Sequence, residues 1–349
     1  MDIRERILTA LHWGEPDRVP LTTYDWFLPR GTTERVLREA GVGLVMRLPA
    51  HRVEHRQVEI VTREYWEKGR KRLRKTIRTP VGEVWQTLEP ETAYDSSLWI
   101  LEHFIKEPAD YRVLEFVYRD AVYHDNYAFI REAQRRIGGD GLVYVRLAKA
   151  PIQEMLYQML GLERFSLDYY DRRDLFDSLH QTMLERYEEL YDLAAGAPVE
   201  IILLGDNITS DVVGAERFRN YCMPVYKCLK TRLAETGKKL AVHMDGRLAS
   251  LQNAIAEAEF DIVEALTPPP MGDVSIRDAR RLWPAKALWI NFTSSMHIEP
   301  PAEIEAHTRH LLEEAGSRRG FAVGVTEDAP VEALERSLGI IARVLQEYG

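Results

Sequence analysis

The chain has 349 residues, 45% of them apolar and 29% charged, which is the composition of a globular protein that can bury a sizeable core. Its 46 Lys and Arg residues against 55 Asp and Glu residues give a formal net charge of −9, which argues against nucleic acid as a partner. No apolar run approaches the roughly 20 residues of a membrane-spanning helix, the N-terminus does not read as a signal peptide, and two cysteines are too few for a disulfide framework, so we expect a cytoplasmic protein with no membrane partner.

Short β-branched or apolar runs recur along the chain and predict eight strands, at 19–24, 43–48, 142–147, 200–204, 239–243, 260–265, 287–291 and 320–325. They lack strict alternation of polar and apolar residues, as expected when both faces of a parallel sheet are buried. Amphipathic stretches predict helices at 151–160, 173–195, 215–236, 247–258, 275–282, 301–315 and 331–346. Strands that alternate with helices in this way, after an N-terminal helix, favour a closed (β/α)8 barrel.

One block interrupts the alternation after the second predicted strand. Residues 51–100 carry strand-like runs at 56–61, 73–78 and 82–88, followed by helices within 108–137. We therefore expect a single domain over 1–349 with a β-rich insertion at about 51–100. The insertion either forms one wall of the barrel mouth or only covers an edge.

Polar or ionisable residues follow nearly every predicted strand. The carboxyl ends of the strands form the active-site face of this fold, and buried ionisable groups are costly unless they are paired or bound to a metal. The pattern therefore predicts a functional site at this end of the barrel. In chain order the residues are Tyr24, Trp26, Arg146, Asp206, Asn207, His243, Asp245, Glu264, Asn291, Phe292 and Glu327.

Four of these residues form a candidate metal site. His243 and Asp245 are two residues apart at the end of a strand, so their side chains point to the same side, and Glu264 and Glu327 follow two other strands. One imidazole and two or three carboxylates suit zinc, and also manganese or iron. The alternative is a salt-bridged ring of polar residues around Arg146 that holds no metal.

Several short motifs lie in order along the chain. They are RERILTAL at 4–11, PDRVP at 16–20, TPVG at 79–82, GDN at 205–207, HMDG at 243–246 and GVTEDAP at 324–330. In this order and spacing they resemble the uroporphyrinogen decarboxylase superfamily over essentially the whole chain. The resemblance implies a (β/α)8 domain and an enzyme that is either a decarboxylase or a corrinoid-dependent methyltransferase.

The two branches that the resemblance implies differ in their site residues. The decarboxylases grip substrate carboxylates with an arginine-rich segment after the first strand, where this chain has only Arg30. The methyltransferases hold zinc with a His-x-Cys pair and a later Cys, and related methionine synthases add a Glu. This chain matches at His243 and Glu264 but has Asp245 and Glu327 where the cysteines stand. Because a site of nitrogen and oxygen ligands is more Lewis-acidic than a thiolate site, the resemblance indicates O-demethylation rather than methylation of a thiol.

The predicted function is transfer of a methyl group from a methylated donor, expected to be a methoxylated aromatic, to the Co(I) corrinoid of a partner protein. Zn²⁺ held by the four-residue set would stabilise the oxygen that the methyl group leaves. The residues predicted to orient the substrate or donate a proton are Asp206, Tyr24 and Asn291, and those predicted to bind the substrate are Asn207, Arg146, Trp26 and Phe292.

Two alternatives stay open. The first is a decarboxylase or lyase of a small carboxylate, which needs Arg30 and Arg146 to face the pocket. The second is a metal-free barrel that binds a ligand without catalysis. The sequence does not fix the oligomeric state, although homodimers are common among enzymes of this kind.

Overall fold

The computed structural model describes residues 1–28, 30–90 and 98–348. Pro29, Gly349 and residues 91–97, the last within the predicted insertion, lie outside the described residues. The chain divides into two compact units. The first comprises Met1–Ala50, Asn126–Ala148 and Ala194–Gly349, and the second comprises His51–Asp125 and Lys149–Leu193.

The strands and helices alternate over most of the chain. The strands are β1 (Leu21–Tyr24), β2 (Val42–Leu48), β3 (His51–His55), β4 (Glu59–Glu67), β5 (Arg70–Thr79), β6 (Gly82–Pro90), β7 (Leu98–Glu102), β8 (Ala121–Asp125), β9 (Gly141–Leu147), β10 (Ile201–Leu204), β11 (Lys239–His243), β12 (Ile262–Leu266), β13 (Ala287–Asn291) and β14 (Phe321–Val325). The helices are α1 (Ile3–Leu11), α2 (Thr32–Glu39), α3 (Pro108–Asp120), α4 (Tyr127–Ile137), α5 (Pro151–Glu154), α6 (Gly161–Asp171), α7 (Arg173–Gly196), α8 (Ser210–Arg217), α9 (Met223–Leu233), α10 (Gln252–Glu257), α11 (Ile276–Leu282), α12 (Pro301–Ala315) and α13 (Val331–Tyr348). Among the described residues, no helix combines the length and the apolar character that crossing a membrane requires.

The first unit is a closed barrel of eight parallel strands. Going around it, the order is β1, β14, β13, β12, β11, β10, β9 and β2, and β2 pairs with β1 again. All eight strands were predicted, because strands buried on both faces are short apolar runs in the sequence. The predicted (β/α)8 fold is therefore confirmed.

Helix α1 closes the amino-terminal end of the barrel. Its residues Ile3, Ile7 and Leu11 belong to the same buried cluster as the first inward residues of the strands. Gly43 on β2 makes room for it, since a Cβ there would lie 2.6 Å from Cγ2 of Ile3. The helix begins with a capping box in which Asp2 and Glu5 each bind the other's backbone N–H.

The second unit contains the β-rich segment that follows β2. Strands β4, β5, β6 and β7 form an antiparallel sheet in that order, and β3 pairs antiparallel with β8. The structure corrects the prediction at 108–137, where β8 separates α3 from α4. The unit also extends past residue 100, to Asp125, and includes Lys149–Leu193. The single domain over 1–349 stays a prediction.

The helix predicted at 215–236 begins earlier and is not uniform. Gly214 has φ of 68°, which breaks the helix that starts at Ser210, and a π-helical turn at Phe218–Cys222 precedes α9. A positive φ is accessible to glycine without steric cost, and this permits the break.

Candidate active site

Alternate residues of each barrel strand face the interior. An interior cluster of buried residues shows which ones do so: Tyr24, Val45, Leu142, Tyr144, Ile201, Leu203, Ala241, Ile262, Ala287, Trp289 and Ala322. Two residues further along their strands, the next inward positions are those of Arg47, Arg146, His243, Glu264 and Asn291. The carboxyl end of the barrel is therefore polar above an apolar interior.

The centre of this end is a hydrogen-bonded network around His243. Residues His243 and Glu264 are register partners on β11 and β12, and Nδ1 of the imidazole is hydrogen-bonded to Oε2 of Glu264. The Tyr24 hydroxyl donates to Oε1 of the same carboxylate at 2.9 Å. On the other side of the ring, Nε2 lies 3.4 Å from Oδ2 of Asp245. The structure thus brings together Tyr24, His243, Asp245 and Glu264, which are all predicted site residues.

The charges of this network determine its protonation. Burial alone lowers the pKa of His243, but Glu264 and Asp245 outweigh it and raise the pKa to about 9. The imidazole is therefore a cation at neutral pH, held between two carboxylates. Burial, and then the charge of Glu264, raises the pKa of Tyr24 well above its ordinary value, so the phenol keeps its proton.

Two arginines lie at the same end of the barrel. The guanidinium carbon of Arg47 is 3.8 Å from the ring centre of Tyr24 and 4.2 Å from that of Trp26. Arg146 is exposed, and its guanidinium lies against Gly205, where a Cβ would be 2.8 Å from Nε. Arg47 was not among the predicted site residues, although it follows the buried Val45 of β2 by two residues and alternation alone places it inward.

Other predicted site residues are engaged within the protein. Asp206 is fully buried and accepts a 2.6 Å hydrogen bond from the Tyr226 hydroxyl of α9. Gly205 occupies the inward position of its strand, so Asp206 faces the helices. Asn291 is buried, accepts from the backbone N–H of Thr326 at 2.9 Å, and has its amide nitrogen 3.4 Å from the Thr267 hydroxyl. These contacts brace the loops.

The remaining three predictions have different surroundings. Asn207 has its amide nitrogen 3.5 Å from Oδ2 of Asp245, which places it beside the network. Trp26 is exposed and stacks on Tyr24 with ring centres 4.7 Å apart. Phe292 is fully buried and packs against His297 and His307, which is the position of a packing residue.

The four predicted metal ligands do not assemble around one point. Glu264 is bonded to Nδ1 of His243 while Asp245 faces Nε2, on the opposite side of the ring. Glu327 accepts a 2.7 Å hydrogen bond from the Ser294 hydroxyl. In residues 1–28, 30–90 and 98–348, no three His, Cys, Asp or Glu side chains are arranged to hold a metal ion. Because the carboxylates of Glu264 and Asp245 lie on opposite sides of the imidazole, these side chains do not converge on one position, and the zinc site stays a prediction.

The fold and the site together define a (β/α)8 barrel with an acid–base network at the carboxyl ends of its strands. The family profile of uroporphyrinogen decarboxylase (URO-D) matches residues 100–344, so the chain belongs to the uroporphyrinogen decarboxylase family. A search of curated proteins finds no sequence match.

Solved structures resemble this chain in fold at low sequence identity. A methyltransferase from Methanosarcina mazei is 13% identical, with a TM-score of 0.58, covering 100% of this chain and 99% of its own. A B12-independent methionine synthase from Shewanella sp. W3-18-1 is 11% identical, with a TM-score of 0.46, covering 95% of this chain and 98% of its own. The first of these likenesses shows the barrel fold.

Proposed function

We propose that this chain is a methyltransferase that moves a methyl group from a methoxylated aromatic donor to the Co(I) corrinoid of a partner protein. The observation that carries the proposal is the pairing of His243 with Glu264 at the carboxyl end of the barrel. Family membership and the name of the Methanosarcina mazei protein agree with this class of reaction. The cytoplasmic location and a homodimer stay predictions.

An ether is a poor methyl donor because its oxygen leaves as an anion, so the chain must supply a proton. The corrinoid supplies the nucleophile that takes the methyl group. As the carbon–oxygen bond breaks, its electron pair stays on the oxygen, and His243 donates the proton on Nε2 to that oxygen. Glu264 holds the imidazolium at Nδ1, and Tyr24 fixes the orientation of Glu264. The neutral phenol is the product.

A Lewis acid would serve the same purpose as the proton of His243. The zinc prediction stays a prediction, and the arrangement around His243 favours proton donation over it. Metal analysis of the purified protein separates the two. Stoichiometric zinc that is lost in His243→Gln would support a Lewis acid.

A second candidate is a decarboxylase of a small carboxylate, and Arg47 and Arg146 at the barrel end favour it. In that reaction the carbon–carbon bond to the carboxylate breaks, carbon dioxide leaves, and the electron pair remains on the substrate carbon. His243 then donates a proton to that carbon. Release of carbon dioxide without a corrinoid identifies this reaction.

The test uses the full chain, 3-methoxybenzoate as donor and free cob(I)alamin as acceptor. We expect methylcobalamin and 3-hydroxybenzoate in equal amounts. His243→Gln should reduce the rate about 10²–10⁴-fold, the contribution typical of a general acid. The control His310→Gln removes an exposed histidine of α12 and should leave the rate unchanged.

Two results would contradict the proposal. If His243→Gln retains the wild-type rate, His243 is not the proton donor. If the wild-type protein binds methoxylated aromatics, and they raise its melting temperature, without any turnover, then the chain is a binding barrel.

A further inference from the structure

Among the described residues, two arginines at the carboxyl end of the barrel form no ion pair. Most arginines of this chain are paired, as Arg6 is with Asp17 and Arg38 is with Glu34. In the part of the chain that the structure describes, neither Arg47 nor Arg146 forms an ion pair or donates a hydrogen bond to a carboxylate. Their N–H groups are therefore able to bind a ligand that enters this end of the barrel.

The backbone places the two arginines on neighbouring strands. Arg47 on β2 is the register partner of Tyr144 on β9, and Arg146 follows Tyr144 by two residues on the same face. The Tyr24 and Trp26 rings hold the guanidinium of Arg47 by cation–π contact, which leaves its hydrogen-bond donors unused. Because Gly205 has no side chain, there is space beside it for the guanidinium of Arg146.

Tyr144 supplies a third unused donor between the arginines. It is fully buried, and among the described residues its hydroxyl makes no well-formed hydrogen bond, although the Tyr24 hydroxyl is close enough to interact with it. Burial, and then Glu264, raises the pKa of Tyr144 well above its ordinary value, while the charges of Arg47 and Arg146 oppose this rise. The phenol therefore keeps its proton and lies within the field of both cations.

We propose that Arg47, Arg146 and Tyr144 bind the carboxylate of a small aromatic acid. Within the described residues, the two planar guanidinium groups and the Tyr144 hydroxyl have no well-formed hydrogen bond, and a carboxylate supplies the acceptor oxygens that match guanidinium geometry. The inference deepens the proposed function and rests on it for the methoxy end of the substrate. The anion site itself stands on the arginines.

A chain of contacts joins the anion site to the proton donor. The guanidinium of Arg47 lies over the ring of Tyr24, and the hydroxyl of that same ring is bonded to Glu264, the partner of His243. The anion site and the proton donor are therefore linked through Tyr24 and Glu264, so a small aromatic acid bound by its carboxylate has the proton donor of His243 at the same end of the barrel.

The test is equilibrium binding measured by titration calorimetry on the full chain. The probes are 3-methoxybenzoate, its neutral analogue 3-methoxybenzamide, and phenyl phosphate. The variants are Arg47→Gln, Arg146→Gln and Tyr144→Phe, with Arg277→Gln as a control at an exposed arginine of α11. Arg47→Lys and Arg146→Lys keep the positive charge. If they recover binding, the loss in the glutamine variants is due to the missing charge and not to misfolding.

We expect the benzoate to bind at least about tenfold more tightly than the amide, since hydrogen bonds to charged groups contribute that much. Each glutamine variant should remove most of this preference without weakening the amide, and the control should keep it. The lysine variants should recover part of it. Equal binding of benzoate and amide, or unchanged affinity in both glutamine variants, would overturn the proposal. Tighter binding of phenyl phosphate through the same arginines would overturn the carboxylate assignment.

The outcomes also separate this inference from the proposed function. Arginine-dependent binding of the benzoate without methyl transfer would leave the anion site standing and end the methyltransferase proposal. If methoxybenzene is demethylated as fast as 3-methoxybenzoate, the methyltransferase proposal stands and the anion site is ruled out.

Discussion

The Tyr24 hydroxyl donates a 2.9 Å hydrogen bond to Oε1 of Glu264 and so joins β1 to β12 within the barrel. Tyr24→Phe removes this donor and keeps the ring beneath Arg47. We expect the free energy of unfolding to fall by about 1–3 kcal/mol, because a buried carboxylate loses a partner. The value of kcat should fall while the affinity for a benzoate is retained. Urea unfolding and separate determination of kcat and KM check this.

Tyr348→Phe is the matched control, since that ring lies exposed on α13. It should change neither stability nor kcat. A Tyr24→Phe variant with wild-type kcat would show that the hydroxyl does not position Glu264 for the reaction.

Because His297 is buried in the folded protein, we expect the protein to lose stability in mild acid. Its Nδ1 lies 2.6 Å from the Ser337 hydroxyl, its ring packs on Phe292, and Arg336 donates to its carbonyl. Burial, with a smaller contribution from His307, lowers its pKa to about 4. Between pH 6.5, the ordinary value, and pH 4 the unfolded chain binds a proton that the folded chain does not. The free energy of unfolding therefore decreases as the pH falls through this range, by up to about 1.4 kcal/mol per pH unit.

The slope of the free energy of unfolding against pH is measured by urea unfolding, for wild type and for His297→Gln. The pH values run from about 7.5 to about 4.5 in steps of about half a unit. The variant should show a shallower slope in this range, whatever its stability at neutral pH. His310→Gln, at an exposed site on α12, should keep the wild-type slope. Equal slopes in wild type and His297→Gln would contradict the burial argument.

Gly205→Ala tests how Arg146 is placed. The new Cβ would lie 2.8 Å from Nε and 3.0 Å from Cζ of that arginine, so the guanidinium must move. We expect the affinity for 3-methoxybenzoate to weaken about tenfold, the contribution of a charged hydrogen bond, with little change in the affinity for the amide. Calorimetric titration of both ligands measures this difference.

Gly339→Ala is the control for the loss of a glycine. It lies in α13, and among the described residues no heavy atom outside the backbone of that helix lies within 4 Å of the new Cβ. Alanine there should stabilise the protein by roughly 0.5–1 kcal/mol and leave binding unchanged. Unaltered benzoate affinity in Gly205→Ala would mean that Arg146 does not contact the ligand.

Ile7→Ala tests the closure of the barrel by α1. The side chain is fully buried within the interior cluster, and we expect the free energy of unfolding to fall by about 2–5 kcal/mol. Leu8→Ala, next to it and only partly buried, should cost less. Urea denaturation with an unchanged m-value checks both, and equal costs would show that α1 is not packed in this way.

Most of the barrel could be predicted from the sequence, and the reason is visible at particular strands. The predicted strands at 239–243 and 287–291 coincide with β11 and β13, because both are apolar runs bounded by polar residues. The meeting of His243 with Glu264 was predicted too, since neighbouring parallel strands bring equivalent positions together.

The roles within the site could not be predicted, because they depend on side-chain direction beyond the strand ends. Alternation along the strand predicts that His243 faces inward. It does not predict that Glu264 binds Nδ1 while Asp245 faces Nε2. Strand β10 ends at Leu204, so the inward position passes to Gly205 and Asp206 turns to Tyr226. Sequence spacing alone does not show which residue faces the barrel interior once the strand has ended.

Helix α1 also has a consequence for how the chain is made. Its apolar stripe, Ile3, Ile7 and Leu11, is covered in part by Ala322 of β14, more than three hundred residues later. During synthesis this stripe leaves the ribosome long before β14, so its packing surface stays incomplete until the closing strand emerges. The nascent protein therefore carries a partly uncovered apolar segment while the barrel strands are made, which makes helix α1 a natural point of contact for chaperones.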